Sequence, residues 1–561
     1  MQKTTKILKP RSDQWLFLPL GGSGEIGMNL NLYGYDGKWL MLDLGITFGN
    51  DTTPGIEVIM PDISFIEDNK QDLAGLVLTH AHEDHLGAVP YLWPRLRCPI
   101  YATPFTAAVL KKKLEQEGLR DVPIHIIPMR GKFNVGPFQI ELVTLTHSIP
   151  EPNAVILRTP LGTVLHTGDW KIDPSPVIGD VTDEDTLKAL ANENILALVG
   201  DSTNALVPGH SASESALYDS LHQLCQQMTY RVVVTCFASN VARLKTIMQV
   251  AKSLKRKVAL VGRSLWRIYE AARSTGYLQD MPEPLDENEV QSIPRDKLLM
   301  ICTGSQGEQR SALSRIIHGT HSHVSLDAGD GVIFSSRVIP GNEQEIYQLK
   351  DALLRKGLKV ISDGDHFVHV SGHPARDELT MMYQWVRPRL AIPVHGEERH
   401  LRAHAELAKE CQVPQAIPAH NGQVIQLAPN GGQIVDEVPV GRWALDGNRV
   451  ISMTDKLVED RQKMAQGGLV IVTLIVDDLG WMIADPALQA IGFSKGNEQP
   501  IFIVPLMKLI RSSMEDVSPL PVSSSTKQGE VKGSVIQLIK RYMKKNIGKE
   551  PLIEVNIVKI L

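Results

Sequence analysis

The chain has 561 residues, more than one hydrophobic core usually holds, because single cores rarely grow past about 250 to 300 residues. Apolar residues make up 43% and charged residues 22%, an ordinary globular balance that leaves function open. The formal net charge of −5 supplies no global attraction for nucleic acid, so a polyanionic substrate has to be drawn by a local basic surface and by metal ions.

Lys3, Lys6, Lys9 and Arg11 open the chain without an apolar signal core. No run approaches the roughly 18 apolar residues of a membrane span, so a cytoplasmic protein with no membrane contact is expected. Trp15-Leu16-Phe17-Leu18-Pro19-Leu20 reads as a first strand. The glycines of Gly21-Gly22-Ser23-Gly24-Glu25-Ile26-Gly27 then read as a tight turn between hairpin strands, since no helix pattern or ribose-binding acid follows to support a nucleotide site. Strands recur at 31–33, 39–43, 76–78, 99–101, 124–127, 138–143 and 163–166, with helices only near 104–117 and just after Gly87. Mostly strands with few helices predicts two sheets face to face with helices outside, not a doubly wound parallel sheet.

From about 206 the texture alternates: helix 212–228, strand 231–236, helix 241–254, strand 258–261, helix 264–275, then strands 298–302 and 331–335. This is a parallel α/β unit. The histidine-rich texture of the first part returns after about 366, so the α/β unit is read as an insertion. The expected divisions are 1–205, 206–365, 366–445 and 446–561. The last part holds a charged helix near 454–465, an apolar strand over 469–476, a Ser-rich joint at 522–526, a basic amphipathic helix over 535–545 and a closing strand over 552–560. Residues 527–561 carry eight Lys/Arg against three Glu, which suits RNA binding, dimerisation or simply a solvated face.

The five cysteines, Cys98, Cys225, Cys236, Cys302 and Cys411, stand far apart, so neither a disulfide framework nor a thiolate zinc site is expected. Metal chemistry falls instead to Leu78-Thr79-His80-Ala81-His82-Glu83-Asp84-His85-Leu86-Gly87, which follows the apolar run Gly75-Leu76-Val77-Leu78. Alternate residues of an extended segment point the same way, so His80 and His82 face one point; a turn at Asp84 and His85 aims these two at a second. A solvated loop with histidines by chance is the bland alternative, and three His and an Asp packed so densely after an apolar strand weigh against it. The pattern of apolar strand, ligand and small residue repeats at Thr146-His147-Ser148, His166-Thr167-Gly168-Asp169 and Val394-His395-Gly396. Roles follow: His80, His82 and His147 for one metal, Asp84, His85 and His395 for a second, and Asp169 bridging them. Imidazoles and carboxylates without thiolate suit two Zn²⁺, with Mn²⁺ as the other fit. Asp43, ending Met41-Leu42-Asp43, is expected to accept a hydrogen bond from a ligand histidine.

With these residues the chain resembles the metallo-β-lactamase-fold nucleases of the β-CASP group, and among them the ribonuclease J family, over nearly all of residues 14–445. The resemblance is carried by the glycine loop, the His80-to-His85 motif, Thr146-His147-Ser148-Ile149-Pro150, Thr167-Gly168-Asp169-Trp170-Lys171-Ile172-Asp173 and Gly200-Asp201-Ser202-Thr203-Asn204. Further motifs are Thr303-Gly304-Ser305-Gln306-Gly307-Glu308, Ile339-Pro340-Gly341-Asn342-Glu343, His369-Val370-Ser371-Gly372-His373 and Pro393-Val394-His395-Gly396-Glu397. Trp170 replaces the Phe common in the family, and the tail after 446 resembles the family only faintly.

The resemblance implies an α/β fold: an αββα metallo-β-lactamase sandwich (1–205 and 366–445), an inserted parallel α/β β-CASP domain (206–365) and a small α/β C-terminal domain (446–561). It implies a two-zinc ribonuclease with 5′→3′ exonuclease and endonuclease action in rRNA processing and mRNA decay. His373 would be general acid, with Asp84 and Asp43 also needed for catalysis. A 5′-monophosphate pocket would be formed by Ser239, His369, Ser371, Gly372 and His373, with helix capping as the other role for Ser239. A homodimer or homotetramer and RNA-degradation partners are further implications. The competing expectation is a small-molecule hydrolase of the same fold, a lactonase or thioesterase, which needs the metal ligands but not the insertion or the His369-to-His373 motif.

Overall fold

The computed structural model describes residues 8–50, 52–339, 341–494, 500–515 and 525–560; Lys3, Lys6, Pro340 and the 522–524 part of the Ser-rich joint lie outside them. The chain divides into two compact units, Met1–Thr47 with Met60–Gly441, and Phe48–Ile59 with Arg442–Leu561.

Two large sheets of the first unit pack face to face. The strand Trp15–Gly21 is buried at every residue. A strand that is apolar on both faces has to be covered on both, and here one face meets the second sheet and the other lies away from it. It is third in an eight-stranded sheet ordered Gln433–Glu437, Gln423–Ala428, Trp15–Gly21, Leu30–Tyr35, Lys38–Leu42, Leu73–Val77, Ile100–Ala102 and Ile124–Ile126. The second sheet has seven strands: Lys132–Val135, Phe138–Thr144, Asn153–Thr159, Gly162–His166, Ile195–Asp201, Leu390–Val394 and Gln415–Ala416. Trp15, Phe17, Tyr33, Leu40 and Leu42 of one sheet and Phe138, Ile140, Val155, Val164, Val199 and Ile392 of the other form one core between them. On the second sheet's other face, Val143, Ile156, Leu165 and Leu198 pack with Leu379, Met382, Tyr383 and Leu407 from the helices Arg376–Val386 and Glu398–Glu410.

The inserted α/β unit is a five-stranded, wholly parallel sheet ordered Lys257–Val261, Leu298–Cys302, Val232–Thr235, Gly331–Phe334 and Lys359–Ser362. The expected helix 212–228 is shorter: a 3-10 turn Glu214–Ala216 precedes the α-helix Leu217–Gln226. Two long-range bonds hold that turn, because Glu214 donates its backbone N–H to Asp173 at 3.0 Å and its carboxylate receives Arg243 Nε at 2.6 Å. The strands Asn153–Thr159 and Ile195–Asp201 are not distinguished from sequence, since each follows closely on a loop and carries no alternating pattern.

The second unit carries a three-stranded sheet ordered Ala487–Ile491, Leu469–Val476 and Leu552–Lys559, the outer pairings being antiparallel and parallel. The helices Ile503–Glu515 and Ser525–Asn546 cover one face, Leu506, Ile510, Val535 and Ile539 closing over Val470, Val472 and Leu474. Among the described residues no helix is long and apolar enough to cross a membrane.

Candidate metal centre

The strand Leu73–Val77 stops three residues short of His80, and the helical turn Glu83–Leu86 begins after His82. The histidine motif therefore lies in a loop that ends in a helical turn. That turn leaves the carbonyls of Asp84 and His85 without a helical partner, and Glu83's accepts from Gly87 N at 2.8 Å. The backbone N–H groups of Ile46, Asn29 and Leu44 take the carbonyls of Glu83, Asp84 and His85 at 3.0, 2.9 and 2.7 Å. Such close approach requires Gly45: a Cβ there would stand 1.7 Å from the carbonyl oxygen of Asp84. His147 follows the strand Phe138–Thr144, Asp169 the strand Gly162–His166 and His395 the strand Leu390–Val394, so all arrive at one end of the sandwich. The glycine loop has a role here as well, since Gly22 accepts the backbone N–H of His395 at 2.6 Å and Ser23–Gly24 pairs with Gly396–Glu397.

Three clusters share Asp169: His80, His82, His147 and Asp169; Asp84, His85, Asp169 and His395; and Asp169, Asp201, His373 and His395, of which the first two hold the expected donors. In the first, His82 Nδ1 lies 3.0 Å from His80 Nε2 and 3.1 Å from His147 Nε2. Asp169 Oδ2 is 3.7 and 3.8 Å from the last two nitrogens. In the second, His85 Nε2 is 3.2 Å from Asp169 Oδ2 and 3.6 Å from Asp84 Oδ2, and His395 Nε2 is 3.7 Å from Asp84 Oδ2 and 3.6 Å from Asp169 Oδ1. Bond lengths near 2.0 Å place the donors of a tetrahedral zinc site about 3.3 Å apart, so both groups have the right spacing. Asp169 Oδ1 and His395 Nε2 are buried without a hydrogen-bond partner. Buried polar atoms are rarely left so, and a cation between them accounts for both.

Protonation states agree in the first group; in the second, burial favours a neutral His85, but Asp169, Asp84 and Asp43 outweigh it and hold the ring well above the usual histidine range, so a cation there has to displace its proton. Burial, reinforced by the neighbouring imidazoles, holds His80 and His147 well below the usual histidine range and His82 at about 4, so their lone pairs are free to bind a metal. Burial opposes ionisation of Asp169, but the surrounding histidines outweigh it and keep the carboxyl well below the usual range. The outer bonds orient the rings. Asp43, wholly buried, accepts from His85 Nδ1 at 2.7 Å and from Thr79 N and Oγ1 at 2.8 and 2.9 Å. His147 Nδ1 donates to the Gly372 carbonyl at 2.5 Å, and His395 Nδ1 to Asn29 Oδ1 at 3.0 Å. Asp43 and His395 hold φ of 62° and 51°, left-handed values that only a strongly determined site sustains.

His373 stands beside these groups, its Nδ1 2.7 Å from Asp201 Oδ2 and 3.9 Å from Asp169 Oδ2. Burial favours the neutral ring, yet Asp201 and Asp169 together raise its pKa to about 9. Asp201 ends the strand Ile195–Asp201, an apolar run, a glycine and an acid, the signal that marks Asp169; sequence reasoning assigns it no role. Asn29 and Asn204 are missed as well. Asn204 Nδ2 donates to Ser371 Oγ at 2.8 Å and to the His373 carbonyl at 3.2 Å. Asn29 carries no local signal, and Asn204 closes the Gly200-to-Asn204 motif without a role of its own. Ser239 lies just before the 13-residue helix Val241–Ser253, whose N-cap is Asn240, accepting from Arg243 N at 2.8 Å. That helix start approaches the centre, with Ala242 N 3.4 Å from the Ser148 carbonyl. His369 Nδ1 is buried without a partner, and Gly372 abuts His147 so closely that a Cβ would stand 2.6 Å from its Cε1.

Comparison with known proteins matches four family descriptions to the chain: "Metallo-beta-lactamase superfamily" over residues 29–210, "Ribonuclease J, beta-CASP domain" over 229–353, "Zn-dependent metallo-hydrolase RNA specificity domain" over 358–418 and "Ribonuclease J C-terminal domain" over 456–560. A ribonuclease J of Sinorhizobium meliloti is 40% identical over 555 residues, covering 98% of each chain. Those of Mycobacterium tuberculosis and Thermus thermophilus are 35% and 33% identical, over 96% of this chain and 96% and 94% of theirs. A solved Enterococcus faecalis protein of unknown function shares the fold at a TM-score of 0.51 and 16% identity, over 74% of this chain and all of that one.

Proposed function

This chain belongs to the ribonuclease J family, a metal-dependent RNA-hydrolysing enzyme of RNA processing, and on that premise we propose that it acts with two Zn²⁺ as both a 5′→3′ exonuclease and an endonuclease. The observation that carries the reading is the convergence of seven donors into two groups joined through Asp169, with the His373–Asp201 pair alongside. His80, His82, His147 and Asp169 would hold one ion and Asp84, His85, His395 and Asp169 the other, with Mn²⁺ fitting the same donors. When bound, such ions supply charge that acidifies an attacking water and neutralises the scissile phosphate.

The remaining work falls to protein groups. Asp201 accepts the Nδ1 proton of His373 and keeps the ring charged near neutral pH, which leaves its Nε2–H to protonate the departing 3′-oxygen. Asp43 holds His85 in one tautomer. Ser239, His369, Ser371, Gly372 and His373 are assigned to a 5′-monophosphate: hydroxyls, backbone N–H groups and a helix start suit a terminal phosphate, and the unpartnered His369 Nδ1 supports this. The proposal includes the divisions 1–205, 206–365, 366–445 and 446–561, and extends from the resemblance to a homodimer or homotetramer, RNA-degradation partners and a cytoplasmic location.

The test is single-stranded RNA labelled separately at each end and carrying a 5′-monophosphate or a 5′-triphosphate. Mononucleotides released only from the monophosphorylated end, together with internal fragments from the triphosphorylated RNA, are expected. Internal fragments alone would remove the exonuclease, and turnover of thioesters or lactones but not RNA would overturn the reading.

A further inference from the structure

Three cations lie close enough to His369 to act on it electrostatically: Arg243, Arg337 and Lys171. Two have carboxylate partners. Arg243, fully buried, forms a two-point pair with Glu214 at 2.6 and 3.0 Å and also donates to Ser335. Buried Lys171 lies 3.2 Å from Asp173 and donates to the Ala212 carbonyl. Arg337 differs: it is exposed, and no carboxylate among the described residues pairs with it. Among the described residues its guanidinium reaches only Asn204 Oδ1, at 3.5 Å, the outer limit of a hydrogen bond.

The loop that carries Arg337 is nevertheless held firmly. Gln306, 5% exposed, donates Nε2 to the Arg337 carbonyl at 2.9 Å and to Ser336 Oγ at 3.4 Å, and accepts the backbone N–H of Ile339 at 3.0 Å. A buried amide braced across a loop fixes where its exposed side chain starts. That place follows the strand Gly331–Phe334, at the carboxyl edge of a parallel sheet, where such sheets hold their ligands. Asn204, which the guanidinium meets, itself grips Ser371 and the His373 carbonyl. A firmly held guanidinium with no counter-charge among the described residues thus stands beside the His369–His373 loop.

We propose that Arg337 is a substrate-contacting residue whose guanidinium takes the non-bridging oxygens of an RNA backbone phosphate beside the scissile one. Its planar fork suits two phosphate oxygens at once. Its exposure on the outer side of the His369–His373 loop fits a strand passing by, whereas the enclosed groups of that loop suit a strand end. The assignment rests on RNA as substrate, and wild-type protein assayed in parallel separates the two: if wild type cuts no RNA, the functional reading fails and not this one.

The experiment measures cleavage of short single-stranded RNA by wild type, Arg337→Gln and Arg337→Lys over a range of salt concentrations, with 5′-monophosphate and 5′-hydroxyl ends. Arg337→Gln is expected to raise KM about 5-fold on both RNAs with kcat within about twofold. It should flatten the dependence of log(kcat/KM) on log[salt] by about 0.7, the value of one phosphate contact on a single strand. Arg337→Lys should restore the slope and part of KM, and metal content and Tm should match wild type in both variants. Unchanged KM and slope would overturn the assignment. So would a loss confined to the 5′-monophosphate RNA, which would make the contact a terminal one, or a fall in kcat alone with the slope intact, which would make Arg337 a brace for Asn204.

Discussion

Asp43 supplies no donor atom itself, yet under the proposed two-ion reading its replacement is expected to empty one of the two sites. It is wholly buried and accepts three hydrogen bonds, from His85 Nδ1 at 2.7 Å and from Thr79 N and Oγ1 at 2.8 and 2.9 Å. Asp43→Ala leaves all three donors facing a void, at about 1 to 3 kcal/mol for each one that finds no water, and frees the His85 ring to rotate or change tautomer. Alanine also tolerates the φ of 62° less well than aspartate. Loss of such an outer bond lowers metal affinity about 10- to 100-fold, which is about 1.4 to 2.7 kcal/mol. Because Asp43 holds His85 and not His82 or His147, the loss should fall on the group with Asp84, His85 and His395. Dialysis of the purified protein against graded chelator, with zinc counted by mass spectrometry, should show the variant dropping from two ions to one at about 10- to 100-fold weaker chelation than wild type, the second ion leaving where it does in wild type. The milder Asp43→Asn variant keeps the side chain's shape and backbone preference and should lie between. Two ions retained at the wild-type midpoint would refute the reasoning, as would loss of both together.

His373→Ala should lower kcat by about 10²- to 10⁴-fold in an RNA cleavage assay while zinc content stays at wild type; an unchanged rate would remove it as the acid. Glu378, wholly buried, accepts the backbone N–H groups of Ile172, Ser211 and Ala375 at 2.7, 2.8 and 2.7 Å, so Glu378→Ala should cost roughly 3 kcal/mol or more in urea unfolding. His404 is bonded to Ser202 Oγ and Tyr383 OH at 2.9 and 2.7 Å, and burial lowers its pKa to about 4. Its folded pKa is below the unfolded value of about 6.5, so the unfolded chain takes the proton first. The fold should lose about 3 kcal/mol through this residue as pH falls from about 6.5 to 4, and none of that above 6.5. Unfolding of His404→Gln should be less pH-dependent than wild type across that window; parallel curves would refute it.

Much of this protein is legible before folding because its signals are local. An apolar run that ends in histidine or aspartate and then a small residue marks a strand end at a sheet edge, and His80 to His85, His147, Asp169 and His395, which the fold brings together, all carry that signal. The change from strand-rich to alternating texture likewise exposes the inserted parallel sheet, since a parallel pair needs a helical crossover. Asp201 carries the same local signal, but its strand goes undistinguished, and no pattern in the chain says that its carboxylate meets His373 across 172 residues of sequence.

What only the tertiary structure decided are such long-range meetings. Asn29 orients His395 from 366 residues away, Gly372 gives its carbonyl to His147, and Glu378 takes the backbone N–H groups of Ile172 and Ser211 from 206 and 167 residues away. Hydrogen bonds of this kind depend on where distant strands end in space, and a side chain's own neighbours in sequence carry no trace of them. The sequence by itself determined which chemistry the chain can perform, because donor types and strand ends are local properties. The fold alone decided how each donor is aimed and which charge, Arg337, is left for the substrate.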